Sequence, residues 1–314
     1  MKRNVIRRNE MIGATLELGG TPITLDEYAT TGLVSIAIGP RGHGKTNAGL
    51  LMAEQLSMQG WISVLIDAEA ELESLYGDAV ESPVALSDAL RRREQPILVV
   101  NARDASEFVP FGRAILEAAD EHRKPIFVAI DEGQLFSASR RRTNGMGEAA
   151  DIINELAERG RKRALDMFIT ALRFTGTLQR TLFANRNLTL IGWQEDPTVW
   201  SALGPLFKAS KIEFADLNGL GPGEFFCLSR HGIEKIRMPM ADALRAVAPK
   251  AKRVVRTLPT TFNEWTKAME GIATERLMAL DDDVVALLGT IGELPTQQLM
   301  AGRAALQDER DARA

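Results

Sequence analysis

Six short runs of almost unbroken apolar residues recur along the chain: LVSIAI (33–38), WISVLID (61–67), PILVVN (96–101), PIFVAID (125–131), LDMFITAL (165–172) and LTLIGW (188–193). A strand with one face in water alternates apolar and polar residues. A run that is apolar throughout is covered on both faces, as the strands of a parallel sheet are. Helix-type segments lie between the runs, over 45–58, 85–94, 108–122, 147–163 and 178–185. This alternation predicts a doubly wound α/β domain with a mainly parallel sheet. The segment GPGEFFCLSRHGIEKIRMP (221–239) reads as a closing β-hairpin that turns at RHG. Beyond it the character changes to a linker and then to an acidic, Ala-rich, helical tail. The expected partition is an N-terminal arm over 1–30, the α/β domain over 31–240, a linker over 241–262 and the helical tail over 263–314.

The first apolar run leads directly into GPRGHGKT, with Gly39, Gly44, Lys45 and Thr46 at P-loop spacing and a helix pattern behind them. Glycines let successive backbone N–H groups turn inward around phosphate oxygens, and the helix presents its positive end to the same anion. The residues expected around a nucleoside triphosphate are Gly39, Pro40, Arg41, Gly42, His43, Gly44, Lys45, Thr46 and Asn47. Lys45 is expected to reach the β- and γ-phosphates, and the Thr46 hydroxyl to ligate Mg²⁺. ATP and Mg²⁺ are the implied ligands.

In PIFVAIDEGQLF four apolar β-formers precede Asp131, which places its carboxylate at a strand's C-terminal end, where open α/β sheets bind their ligands. Asp131 is the expected Mg²⁺ partner of Thr46. The adjacent Glu132 is the expected general base that polarises the attacking water. Asp67, Glu69 and Glu71, in IDAEAELE after the second run, read as favourable charge at a helix N-terminus.

Charge is unevenly spread. The chain of 314 residues carries a formal net charge of −4, yet residues 137–190 hold ten Lys/Arg against five Asp/Glu, and 257–314 hold the reverse. That pattern excludes a protein that coats nucleic acid all over and suits contact with a polyanion at one place. A single cysteine, Cys227, rules out an intrachain disulfide or a cysteine zinc site. No apolar run approaches the length of a membrane helix, so a cytoplasmic protein without membrane insertion is expected.

With these segments in order, the chain resembles the HerA/FtsK family of P-loop ATPases, hexameric motors that pump double-stranded DNA. GPRGHGKT looks like its Walker A motif and AIDEGQLF its Walker B. LIDAEAE is similar to its iDpkGE strand end, and ERGRKRALDMFITALRF to its reGRk segment and the atQRp strand behind it. NRNLTLIGW and LNGLGPGEFF look like its closing elements. The resemblance implies a RecA-like fold of the ASCE type and a homo-oligomeric, hexameric ring. It implies arginines inserted from one subunit into the next subunit's site: Arg161 and Arg163 first, then Arg159, with Arg173 acting in cis or as a structural partner. Arg140, Arg141 and Arg142, in a polar segment after Walker B, are expected against DNA phosphates.

Three departures stand out: Ala70 replaces a glycine, Phe174 a proline, and Leu172 the glutamine that senses the γ-phosphate. Gln134 or Thr170 is expected to substitute for that glutamine. The short lead before the P-loop fits compact genome-packaging ATPases of membrane-containing phages. This places the protein in the host cytoplasm or with the virion, docking on a portal, vertex or nuclease. Protein export or virion assembly by the same fold, and a non-hydrolysing nucleotide switch, are the alternatives.

Overall fold

Uniformly apolar strands need cover on each face, and the computed structural model supplies it on both. The structure describes residues 13–137, 145–173, 178, 180–247 and 296–313. In chain order the elements are β1 (Thr15–Leu16), β2 (Ile23–Thr24), β3 (Val34–Ile38), α1 (Lys45–Met58), β4 (Ile62–Asp67), α2 (Glu73–Tyr76), α3 (Pro83–Arg92), β5 (Ile97–Asn101), α4 (Ala105–His122) and β6 (Ile126–Ile130). Then follow α5 (Met146–Arg163), β7 (Leu165–Ala171), α6 (Arg180–Asn185), β8 (Leu188–Ile191), α7 (Trp200–Phe207), α8 (Phe214–Asn218), β9 (Glu224–Ser229), β10 (Gly232–Arg237), α9 (Asp242–Val247) and α10 (Thr296–Arg313). The chain divides into two compact units, Met1–Ala248 and Pro249–Ala314; within the second, α10 is the described element.

The main sheet has eight strands in the order β10-β9-β8-β3-β7-β6-β4-β5. All pairings from β8 to β5 are parallel, and β8–β9–β10 run antiparallel, so the expected closing hairpin is the sheet's edge. The two-residue period of each strand sorts its side chains between two cores. Ile36, Val64, Val128 and Ile169 join one, with Phe108, Ile115 and Ile153 from the helices. Ala37, Leu65, Phe127 and Phe168 join the other, with Leu50, Met52 and Leu56 of α1. This is a doubly wound α/β sheet. Helix starts follow local chemistry: Ser82 caps α3 ahead of Pro83, and the Asp104 carboxylate accepts from the N–H groups of Ser106 and Glu107 to cap α4.

Two boundaries differ from expectation. Residues 13–28 are not an arm. Leu16, Leu18, Ile23, Leu25 and Tyr28 are buried in the α1-side core, and the Gln55 and Gln59 side chains of α1 bond the backbone of Glu17 and Thr15. Nor is 241–247 a linker. Ala241 is fully buried and α9 begins at once, because Asn47 and Glu54 of α1 supply acceptors for the backbone N–H groups of residues 241–243. Among the described residues no helix is long and apolar enough to cross a membrane.

Candidate active site

Strand β3 ends at Ile38 and α1 begins at Lys45, so the residues between turn the chain sharply. Gly44, the N-cap of α1, has φ 95°, a conformation that a side chain would strain. No side chain caps this helix, leaving its first N–H groups and positive dipole end to an anion. Lys45 is 8% exposed and donates from Nζ to the Pro40 carbonyl at 2.8 Å. Burial lowers its pKa, while the nearby charges of Asp131 and Glu132 pull it back up.

The end of β6 meets this loop. Thr46 Oγ1 donates to Asp131 Oδ2 at 2.7 Å. Thr170 Oγ1, on neighbouring β7, donates to Asp131 Oδ1 at 2.5 Å and accepts from the Glu132 N–H at 2.8 Å. Glu132 sits in the left-handed region at φ 49°. The chain then passes through Gly133, where a Cβ would lie 2.3 Å from Ile169 Cγ1, so only glycine fits. The Glu132 carboxylate pairs with Arg41 at 3.1 Å.

A cleft of about 420 Å³ opens here, lined by Arg41, Gly42, Lys45, Thr46, Asp131, Glu132, Gln134 and Thr170, joined by Glu69, Glu71 and Leu172. The sequence reading missed Glu69 and Glu71 as cleft residues and took them for helix-dipole charge. The following helix, α2, has Leu72 as its N-cap, so Glu71 directly precedes that helix end and also lines the cleft, while Glu69 stands three residues before the N-cap. Asp67 is an anchor instead: buried, its carboxylate accepts from the Glu69 and Leu72 N–H groups at 3.0 and 2.8 Å and folds the loop toward the cleft. Gln134 Oε1 is buried with no hydrogen-bond partner among the described residues. Leu172 lines the cleft with an apolar side chain.

Other expected residues lie elsewhere. His43 is turned into the sheet: its Nε2 lies 2.7 Å from the Glu224 carbonyl and 3.1 Å from the Trp193 backbone nitrogen, its ring meets Phe225 edge-on, and burial lowers its pKa. Asn47 spans Pro239 and Ala241, so neither side chain faces the cleft. Arg173 is exposed and does not line the cleft; its positive charge helps lower the pKa of Asp196, after the hydrogen bonds from Thr198. Arg159, Arg161 and Arg163 stand on the last turns of α5, at the end of β7 away from the cleft; their side chains lie outside the described residues. Arg140, Arg141, Arg142 and Phe174 also lie outside them.

Thr46 and Asp131 bring a hydroxyl and a carboxylate oxygen together, hard donors that fit Mg²⁺. Among the described residues no cluster of three or more His, Cys, Asp or Glu is placed to hold a metal. A Mg²⁺ shared with phosphate needs no such cluster, since waters and phosphate oxygens complete its shell.

The fold is similar to those of several solved structures. The genome packaging NTPase B204 of Sulfolobus turreted icosahedral virus 2, in complex with ATP-gammaS, superposes with a TM-score of 0.53 at 14% identity, covering 66% of this chain and 98% of that one. The fold is that of the RecA-like P-loop ATPases. The DNA-packaging ATPase B204 of Sulfolobus turreted icosahedral virus gives 0.51 at 14% identity, covering 65% and 97%. ATPases 2 and 3 of Thermomonospora curvata EccC, in complex with a signal sequence peptide, give 0.50 at 13% identity, covering 76% and 44%. No family model and no curated protein matches the sequence.

Proposed function

We propose that the protein is an ATP-hydrolysing ring motor that translocates double-stranded DNA, as in genome packaging. One observation carries the reading: Lys45, Thr46, Asp131 and Glu132 line a single cleft at the strand ends. In that cleft the α1 N–H groups and Lys45 hold the phosphates. Thr46 and Asp131 would hold Mg²⁺, which when bound would supply positive charge to the phosphates. Glu132 takes the proton of the attacking water as its oxygen bonds to the γ-phosphorus and the bond to ADP breaks. Gln134 is better suited than Thr170 to stand in for the family glutamine, because Thr170 is committed to Asp131 and Glu132 while Gln134 lines the cleft with an amide that carries N–H donors for phosphate oxygens.

Position also supports a shared site. At roughly 3.3 Å per strand residue, the length of β7 separates the Arg163 end of α5 from the cleft by about 20 Å, with Arg161 and Arg159 about 3 and 6 Å further back along the helix. That distance supports the reading that they serve a neighbour's cleft, and a hexameric ring is the proposed form. The likeness to a packaging NTPase over nearly all of its length supports DNA as cargo, with Arg140–Arg142 on its phosphates and a portal, vertex or nuclease as docking partner. The likeness to EccC, solved with a signal sequence peptide, supports protein export as the second reading.

Measuring ATP turnover with and without long duplex DNA, on a sample of known oligomeric mass, tests the proposal. Turnover by a ring that rises with DNA and falls back with salt is expected. A monomer, or hydrolysis indifferent to DNA, overturns the translocase reading. Tight ATP binding without turnover, unaltered by Glu132→Gln, favours the switch made conceivable by Leu172.

A further inference from the structure

Charge is sorted along the strand axis. Between Lys45 and Arg91 the sequence has no Lys or Arg, while the segment from Asp67 to Glu81 carries six carboxylates. That segment joins β4 to α3 at the strands' C-terminal ends, where Glu69 and Glu71 line the cleft. Asp67 and Glu73 are committed to N–H groups of the segment itself and to the Asn101 amide. Glu69, Glu71, Asp78 and Glu81 are exposed and form no salt bridge among the described residues.

The opposite end is basic. α3 closes on Arg91, Arg92 and Arg93, and α4 on His122, Arg123 and Lys124. The parallel register pairs Ser63 with Ile97, Ile62 with Ile126, and Ile126 with Leu165, so these helix ends lie with the end of α5 at the strands' N-terminal ends. Cations at a helix C-terminus answer its dipole, and Arg91 also pairs with Asp88. The dipole does not account for like charges from two helices packed together. The Arg93 guanidinium donates to the Gly60 and Pro125 carbonyls, and burial, then the Arg93 charge, hold the pKa of Lys124 down. Arg92, Arg123 and Lys124 form no salt bridge among the described residues. Such a cluster is unfavourable until an anion covers it.

The six residues of β4, at roughly 3.3 Å each, keep the two ends about 20 Å apart. That is about twice the screening length in physiological salt, so the two ends of one chain attract each other little. A DNA duplex answers the basic end and leaves the acidic segment unanswered; a second copy answers both. Resting on the ring reading above, we propose that the α3 and α4 ends of one subunit dock on the 67–81 segment of the next, opposite charges closing the contact beside each cleft. The α4 end adjoins the α5 end as the acidic segment adjoins the cleft, so one head-to-tail contact serves both pairs. The neighbouring subunit then steadies the loop that carries Glu69 and Glu71.

The mass of the full-length assembly, followed by native mass spectrometry and sedimentation across protein and salt concentration, tests it with two charge reversals and their combination. Arg92→Glu/Arg123→Glu and Asp78→Lys/Glu81→Lys lie outside the cleft lining, and unfolding curves report whether each chain is folded. Each reversal is expected to raise the concentration for half-assembly at low salt by about tenfold or more, and the neutral pair Arg92→Gln/Arg123→Gln by less. The chain carrying both reversals presents exchanged but again opposite charges, and its assembly returns toward wild type. High salt shrinks all of these differences. Wild-type assembly that neither reversal shifts, or a combined chain that assembles no better than its parts, overturns this contact and leaves the ring reading standing. So does weakened binding of duplex DNA by Arg92→Glu/Arg123→Glu at unchanged oligomeric mass, which gives the basic end to DNA. A wild-type chain that stays monomeric under every condition removes the ring reading and this one with it.

Discussion

Ala70 has φ 56°, a left-handed conformation, at the position where the resembling motif keeps glycine. A Cβ there costs about 1–2 kcal/mol in the folded state, and glycine gives back part of that through its freer unfolded chain. Ala70→Gly is therefore expected to stabilise the protein by roughly 0.5–1 kcal/mol, read as a raised midpoint of denaturant unfolding with an unchanged slope. His43 makes a second prediction. Burial lowers its pKa below the usual 6.5, so above that pH it is neutral whether folded or unfolded and contributes no slope. As pH falls below 6.5 the unfolded chain takes up a proton that the folded chain refuses, and stability declines, by at most about 1.4 kcal/mol per pH unit. His43→Gln should flatten that decline in unfolding curves recorded across pH; an unchanged slope would mean another group titrates.

Helix α1 joins the first and last parts of its unit to the phosphate loop. Gln55 and Gln59 hold residues 15–17, Asn47 holds 239–241, and the Glu54 carboxylate accepts from the N–H groups of Asp242 and Ala243 and from the Tyr76 hydroxyl. Glu54→Ala removes the cap of α9, which is expected to cost about 1–2 kcal/mol and to speed proteolysis around residues 238–247 at native temperature. Cutting at the wild-type rate would show that the cap does not hold this segment. None of these ties is visible in the sequence, since Glu54 and Asp242 stand 188 positions apart. The two-residue strands β1 and β2 are too short to show a period, so the sheet-bound segment reads as an arm. The central strands were legible because burial on both faces leaves a contiguous apolar run. The span of α1 was legible because a contiguous motif starts it. The cleft divides the same way. Lys45 with Thr46, and Asp131 with Glu132, are each adjacent pairs inside a motif. Glu69 and Glu71 reach the cleft through a loop folded by Asp67, and Arg41 meets Glu132 across 91 positions, which no local pattern encodes.

At the scale of the whole molecule, the cleft and the C-terminal end of α5 lie at opposite ends of β7, and the proposed ring assigns the α5 arginines to a neighbour's cleft. In the proposed ring of head-to-tail contacts, each cleft would face the α5 end of the next copy. Two defective chains then complement each other. Glu132→Gln chains keep their arginines and lose the base; Arg161→Ala/Arg163→Ala chains keep the base and lose the arginines. Either alone should turn over ATP far more slowly than wild type, the arginine loss by several powers of ten. When the two are mixed in equal amounts and reassembled, about one interface in four pairs an intact cleft with intact arginines, and turnover should return to as much as about a quarter of wild type. Adding an excess of wild-type-length chain carrying both defects should dilute that recovery away. If native mass measurement shows mixed rings and no turnover returns, the α5 arginines are not the residues that complete the neighbour's cleft.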